Sequence, residues 1–119
     1  MVEPESIAFP PYRLDLRSGR LIRGTDMIPL RPKTWAVLRH LAEQPGALIT
    51  KDDLLDAVWP ATAVTADTLT KSIGELRHAL GDDPRHPRFI ETVHRRGFRF
   101  IALVRQPDDA PSARSEAGN

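Results

Sequence analysis

Residues 65–101 read TADTLTKSIGELRHALGDDPRHPRFIETVHRRGFRFI and predict a helix followed by a hairpin. Four apolar residues recur in the first half at spacings of four, three and four: Leu69, Ile73, Leu76 and Leu80. This spacing places them on one face of an α-helix. We therefore predict a helix over about 66–80 that follows Thr65 as its N-cap and ends at Gly81.

The second half of this stretch predicts a β-hairpin, called the wing below, over about 89–101. Apolar and polar residues alternate on both sides of His94, Arg95 and Arg96. Alternation with a period of two is typical of strands, and the three residues between the two segments supply the turn.

Two shorter helices are predicted upstream. The first begins at Pro32, where a helix loses no hydrogen bond, and ends before Gln44-Pro45-Gly46. The second follows Thr50, with Asp53 three residues on as in a capping box, and Pro60 ends it. Three helices followed by a hairpin predict a winged helix.

The N-terminal region predicts a small antiparallel sheet. Its apolar and polar residues alternate in three short segments, about 12–15, 20–23 and 27–30, with turn residues between them. The fold class is therefore α+β: a winged helix-turn-helix with an N-terminal antiparallel sheet, three helices and a C-terminal β-hairpin wing.

One domain over residues 9–104 is expected, because 119 residues suit a single core of ordinary size. Residues 1–8 are expected to form a flexible lead-in. Residues 105–119 are polar and contain proline, so we expect a disordered tail or linker there.

Composition excludes several classes of protein. The chain has no cysteine, its four histidines are scattered, and no phosphate-binding glycine loop or nucleophile motif is present. We therefore expect no metal, no cofactor and no enzymatic activity.

The longest nearly apolar run, 100–104, is too short to span a membrane, and the acidic first five residues do not suit a signal peptide. A cytoplasmic location without membrane contact follows.

Positive charge is concentrated in the region of the wing although the net charge is only +1. Residues 85–105 contain six arginines and one acid, Glu91. Arginines that reach phosphates release condensed counterions, so a basic hairpin beside a helix suits double-stranded DNA. The alternative is an edge ribbon that carries charge against aggregation. Arg95 and Arg96 at the turn favour DNA, because a turn can enter a minor groove.

The exposed face of the third helix carries side chains suited to a recognition helix. Lys71 can donate to guanine, and Glu75 can accept from cytosine. Thr68, Ser72 and Arg77 can contact phosphates. The alternative is an ordinary solvated face, which the acids Asp67 and Glu75 support.

The chain resembles the winged-helix DNA-binding domains of the OmpR/PhoB type, in the branch of the ToxR- and CadC-like regulators. The resemblance spans about 9–102 and is carried by LLDAVW at the end of the second helix, by IGELR and LGDD in and after the third, and by FIETV leading to GFRF in the wing. It implies a four-stranded N-terminal sheet, a third helix in the major groove and a wing at the adjacent minor groove.

The resemblance also implies contacts for individual residues. It places Thr68, Lys71, Ser72, Glu75 and Arg77 at helix contact positions, Thr92 at a wing phosphate and Trp59 near the DNA backbone. Where the family often has arginine, this chain has Glu75 and His94. Arg95 and Arg96 stand where smaller residues are typical, and Phe98 replaces a tyrosine. The wing is therefore expected to bind through its tip.

The resemblance further implies partners and neighbours in the chain. The loop 60–64 is the surface that can meet RNA polymerase, and a dimer on DNA is expected because one such module covers little DNA. No receiver domain precedes the module, so we expect an N-terminal module followed by a sensor or other domain.

The sequence thus predicts the sequence-specific DNA-binding module of a bacterial, two-component-like transcriptional regulator, with 66–80 in the major groove and 89–101 at the minor groove. The alternative is a winged-helix protein-interaction or dimerisation module with little DNA affinity, supported by the near-neutral charge and by the acids on the helix face.

Overall fold

The computed structural model describes residues 6–104 of the 119. These residues form two compact units, one of 6–29 with 103 and 104, and one of Leu30–Ala102. The single predicted domain over 9–104 is thus divided at the end of the N-terminal sheet. The expected tail, 105–119, and residues 1–5 of the lead-in lie outside the described residues.

The first unit is a four-stranded antiparallel sheet of strands β1 to β4. The strands are Ser6–Phe9, Tyr12–Asp15, Arg20–Arg23 and Asp26–Ile28, and their order in the sheet is their order in the chain. One face carries the buried residues Ile7, Phe9, Leu14 and Leu21. Four strands are what the family resemblance implies, whereas residue alternation alone indicated three.

Two boundaries in this sheet differ from the prediction. The flexible lead-in is wrong for residues 6–8, which belong to β1 because Ile7 pairs with Leu14 and is buried. The last strand begins at Asp26, which pairs with Arg23, and ends at Ile28 instead of 30. Both differences arise from pairing with a neighbouring strand, which short local patterns do not specify.

The second unit contains the three predicted helices, α1 (Pro32–Ala42), α2 (Lys51–Val58) and α3 (Ala66–Leu80). Each packs against the other two. The predicted stripe of α3 is buried, together with the apolar faces of α1 and α2; these residues are Leu69, Ile73, Leu76, Leu80, Val37, Leu38, Leu41, Leu54 and Val58. Within residues 6–104, no helix is both long and apolar enough to cross a membrane.

Helix ends follow the predicted signals with one exception. The Thr50 hydroxyl accepts a hydrogen bond from the Asp53 amide at 3.1 Å and caps α2. Gly81, at φ 66°, follows α3 in the left-handed region, and the Asp82 amide donates back to the Arg77 carbonyl at 2.9 Å. Thr65 stands at the N-cap of α3 as predicted, but its side chain makes no capping hydrogen bond.

The wing is part of a three-stranded antiparallel sheet. Its hairpin consists of β6 (Ile90–Val93) and β7 (Gly97–Phe100), and β7 also pairs with β5 (Leu48–Thr50) in front of α2. Strand β5 was not predicted from the sequence, because three residues are too few to show alternation. Its strand conformation comes from pairing with a segment about 50 residues later in the chain.

Gly97 is required where β5 and β7 approach each other. A Cβ atom at this position would overlap the Ile49 carbonyl oxygen and lie 2.8 Å from the Thr50 Cα. We expect Gly97→Ala to lower the free energy of unfolding by about 3 kcal/mol, at the upper end of overpacking costs, because both neighbours are backbone atoms. Gly46→Ala is the control, since its Cβ would meet nothing and only its φ of 81° is unfavourable, at about 1 kcal/mol. Equal losses in urea denaturation would contradict this account.

Candidate nucleic-acid interface

Three of the contact residues predicted on α3 differ in their exposure to solvent. Lys71 is exposed, and Thr68 is half-buried near the start of the helix. Ser72 is only 7% exposed, which corrects its expected place on an exposed flank. Ser72 stands three residues after Leu69 and four before Leu76, both buried, so it shares their face of the helix. Lys71, by contrast, presents its charge to solvent.

Glu75 is connected to α1 and is not free on the helix surface. The buried Thr34 hydroxyl donates a hydrogen bond of 2.9 Å to Glu75 Oε1. Arg31 Nε lies 3.7 Å from the other carboxylate oxygen, Oε2. The exposed Glu75 carboxylate therefore has a donor in α1 and a cation at its start, which hold it toward that helix.

Arg77 links α3 to the wing. Its Nη2 donates to the Ile90 carbonyl oxygen at 3.0 Å and to the Thr92 hydroxyl oxygen at 2.7 Å. Arg77 and Thr92 were predicted as separate phosphate contacts, and the structure brings them together. Because Arg77 occupies an acceptor position of the Thr92 oxygen, the hydroxyl hydrogen is left to donate elsewhere.

Burial around Arg77 also affects its ionisation. Removal from solvent lowers the pKa of the Arg77 guanidinium, and the nearby negative charge of Asp82 opposes this shift. The Asp82 carboxylate itself accepts hydrogen bonds of 2.7 to 3.4 Å from three consecutive backbone amides, Arg88, Phe89 and Ile90. Asp82 thus positions the start of β6.

The turn of the wing exposes His94, Arg95 and Arg96. The Arg96 amide donates to the Val93 carbonyl at 2.9 Å and closes the turn. The Arg96 carbonyl in turn accepts from the Lys51 amide at 3.2 Å, so the turn is tied to the first residue of α2. Arg95 has a φ of 64°, in the left-handed region that favours glycine.

One groove separates α3 from the wing, and it is called the wing groove below. Thr70, Gly74 and His78 of α3 line one side, and Thr92, His94 and Arg95 line the other. Lys51 contributes a further cation, and Ile73 and Phe98 supply apolar surface. Three of the predicted wing contacts, Thr92, His94 and Arg95, thus share one concave surface with α3, whereas Arg96 does not line it.

A second groove lies on the other side of α3, between that helix and the start of α1. Trp59, Thr68, Lys71, Ser72 and Glu75 line it, with Arg31 and Lys33 from the α1 side. Trp59 is 8% exposed, so most of its indole is buried and only an edge is left for a partner. Lys33 Nζ donates to the Val58 carbonyl at 2.7 Å and stabilises the end of α2.

Several groove residues were not among the predicted contacts, including Lys33, Lys51 and Thr70. Lys51 lies in an acidic stretch with Asp52, Asp53 and Asp56, so the local charge of the sequence did not indicate a DNA contact there. A helical projection of α3 would have found Thr70, which lies one turn before Gly74. Among residues 6–104 no cluster of three metal-ligating side chains occurs.

Arg95 is a position where a smaller residue should stabilise the fold. We expect Arg95→Gly to raise the free energy of unfolding by up to about 1 kcal/mol, because glycine adopts a φ of 64° without steric cost. Arg96→Gly removes the same charge at a position outside the left-handed region and should lower stability. Urea denaturation checks the pair, and a change of the same sign in both variants would contradict the assignment.

Comparison with known proteins identifies the family. A family model described as "Transcriptional regulatory protein, C terminal" matches residues 24–100. HilA of Salmonella typhimurium is 34% identical over 119 residues, which cover 98% of this chain and 21% of HilA. CadC of Escherichia coli is 34% identical over 87 residues, 72% of this chain and 17% of CadC. The chain therefore spans about a fifth of the length of these regulators.

Solved structures agree with the family match. The DNA-binding domain of Escherichia coli CadC has a TM-score of 0.75 and 27% identity, and the match covers 89% of this chain and 99% of that domain. The response regulator DrrB of Thermotoga maritima has a TM-score of 0.76 and 28% identity over 82% of this chain and 45% of DrrB. The matched family is one of transcriptional regulatory proteins, which is not a class of enzymes, and DrrB is described as an OmpR/PhoB homologue. The chain belongs to the OmpR/PhoB-type family of winged-helix DNA-binding domains of transcriptional regulators.

Proposed function

We propose that this chain binds double-stranded DNA sequence-specifically, as the DNA-binding module of a bacterial transcriptional regulator, with α3 in the major groove and the wing at the adjacent minor groove. One observation carries the proposal: exposed residues of α3 and the wing arginine Arg95 line the same groove. A duplex that enters with its major groove over α3 would bring a phosphate backbone toward the wing. The CadC domain, similar over 89% of this chain, is described as DNA-binding, which supports the same function.

The residues divide the work by their geometry. Lys71 is exposed on α3 and can donate to the acceptors of guanine in the major groove. Arg95, Arg96, His94 and the Thr92 hydroxyl offer donors to phosphates at the wing. Thr68 lies at the start of α3 and lines the second groove together with Trp59. From there it can contact the DNA strand opposite to the one that the wing contacts. Arg77 and Glu75 act by holding α3 to the wing and to α1.

Two partner interactions extend the proposal. The loop 60–64 is largely exposed and contains Ala61 at a φ of 58°, and it is offered as the surface for RNA polymerase. Two copies on tandem or inverted half-sites would cover a longer sequence than one domain can read.

Fluorescence anisotropy tests the function with a labelled random-sequence duplex at several salt concentrations. We expect an affinity that falls steeply with salt, with a log-log slope corresponding to several phosphates. Absence of binding at low salt would overturn the proposal and favour the protein-interaction alternative. The structure weakens that alternative, because Glu75, one of its two supporting acids, is engaged with Thr34 and Arg31.

The wing tip should supply affinity for any sequence. We expect the double variant Arg95→Ala, Arg96→Ala to weaken binding to specific and random duplexes alike, and to reduce the salt slope by about one to two. Arg39→Ala is the control, since it removes a cation of α1 that lines neither groove. A double variant that binds like the parent at every salt concentration would exclude the wing role.

Lys71 should affect sequence preference. We expect Lys71→Ala to cost about 1–3 kcal/mol on the preferred site and to relax preference at one or two base pairs, because its donor addresses base acceptors in the major groove. Selection from a random library with parent and variant measures this. An unchanged preferred sequence with uniformly weaker binding would instead make Lys71 a phosphate contact.

A further inference from the structure

Gly74 lies in the middle of α3 and is the only glycine within that helix. Glycine weakens a helix relative to alanine, so a structural reason for it is expected inside the protein. None is found among the described residues, since a Cβ atom at Gly74 would meet nothing within 4 Å outside the helix backbone. The reason for a missing side chain therefore has to be sought outside the domain.

The neighbours of Gly74 leave its backbone uncovered. Glu75 is held toward α1 by the Thr34 hydroxyl at 2.9 Å. Arg77 is held toward the wing by the Ile90 carbonyl and the Thr92 hydroxyl. Ile73, the residue before Gly74, is 2% exposed and contributes apolar surface to the wing groove. The two charged side chains that follow Gly74 in α3 are thus held toward other parts of the domain, Glu75 toward α1 and Arg77 toward the wing.

The exposed residues one turn before and after Gly74 leave a depression in the surface of α3 at this glycine. Thr70 and His78 stand four residues before and after Gly74, and both are exposed. All three line the wing groove. The row along α3 therefore has a side chain, a gap and a side chain, and the gap opens toward the surface proposed for DNA.

We propose that Gly74 is a specificity-determining position, where the backbone of α3 comes closest to a base-pair edge in the major groove. The inference rests on the proposed DNA-binding function and deepens it. Close approach lets Thr70 and Lys71 reach base edges that a side chain at position 74 would hold at a distance. The absent Cβ, and not a hydrogen-bonding group, then makes this contribution to sequence preference.

The substitution Gly74→Ala tests the inference because it moves two measurements in opposite directions. In the absence of DNA it should raise Tm by about 3–6 °C, since alanine favours the helix and its Cβ meets no neighbour. On the site selected by the parent, affinity should fall by about tenfold or more, comparable to a mismatched base pair. On a random duplex the salt slope should stay the same, because no charge is removed.

Ala57→Gly is the matched control. Ala57 is exposed in α2 and lines neither groove, so this reverse exchange should lower Tm and leave affinity for the selected site unchanged. Gly74→Ala with a raised Tm and parental affinity would overturn the inference, and so would a lowered Tm. If the parent binds no duplex, the proposed DNA-binding function is wrong. If the parent binds with a steep salt slope but Gly74→Ala keeps parental affinity, only the inference about Gly74 is wrong.

Discussion

The Arg77 guanidinium connects helix α3 to the β-hairpin of the wing. Its bonds to the Ile90 carbonyl and the Thr92 hydroxyl hold the wing against α3, and Asp82 binds the three amides at the start of β6. On the other side, Glu75 ties α3 to Thr34 of α1. The relative placement of α3 and the wing is therefore maintained by hydrogen bonds of charged side chains. The proposed contact with two grooves of DNA depends on this placement.

These internal bonds also explain how a chain of net charge +1 can offer a basic surface. Glu75 and Asp82 direct their carboxylates toward donors of the protein, and Glu91 lies 2.9 Å from Arg99 Nη1. The exposed acids of α2 line neither groove. Several cations that line the grooves or end the wing contribute to the local potential, which decides association more than the total charge does. They include Lys51, Lys71, Arg95 and Arg96.

Backbone compromises coincide with the proposed interface. Arg95 adopts a left-handed conformation that glycine would adopt more easily, and Gly74 interrupts a helix that alanine would strengthen. Arg95 has a side chain at a backbone conformation that disfavours one, whereas Gly74 has none in a helix that a side chain would stabilise. Local rules of stability are commonly broken at functional sites, and both of these positions line the wing groove. Ala61, the other non-glycine residue at positive φ among residues 6–104, lies in the 60–64 loop and lines neither groove.

Periodicity and helix-end signals were sufficient to predict all three helices and the wing, because the stripe of Leu69 to Leu80, the Thr50 cap and the terminal Gly81 act over one or two turns. Family resemblance supplied the fourth strand of the N-terminal sheet. Long-range contacts decided the rest. Strand β5 exists because it pairs with Gly97-Phe98-Arg99, and Ser72 is buried because of how α3 sits in the core. Glu75 and Arg77 look like solvent-facing charges in the sequence, yet their partners lie 41 and 13 to 15 residues away. A side chain's partner at such separations depends on tertiary packing, which no local pattern of residues encodes.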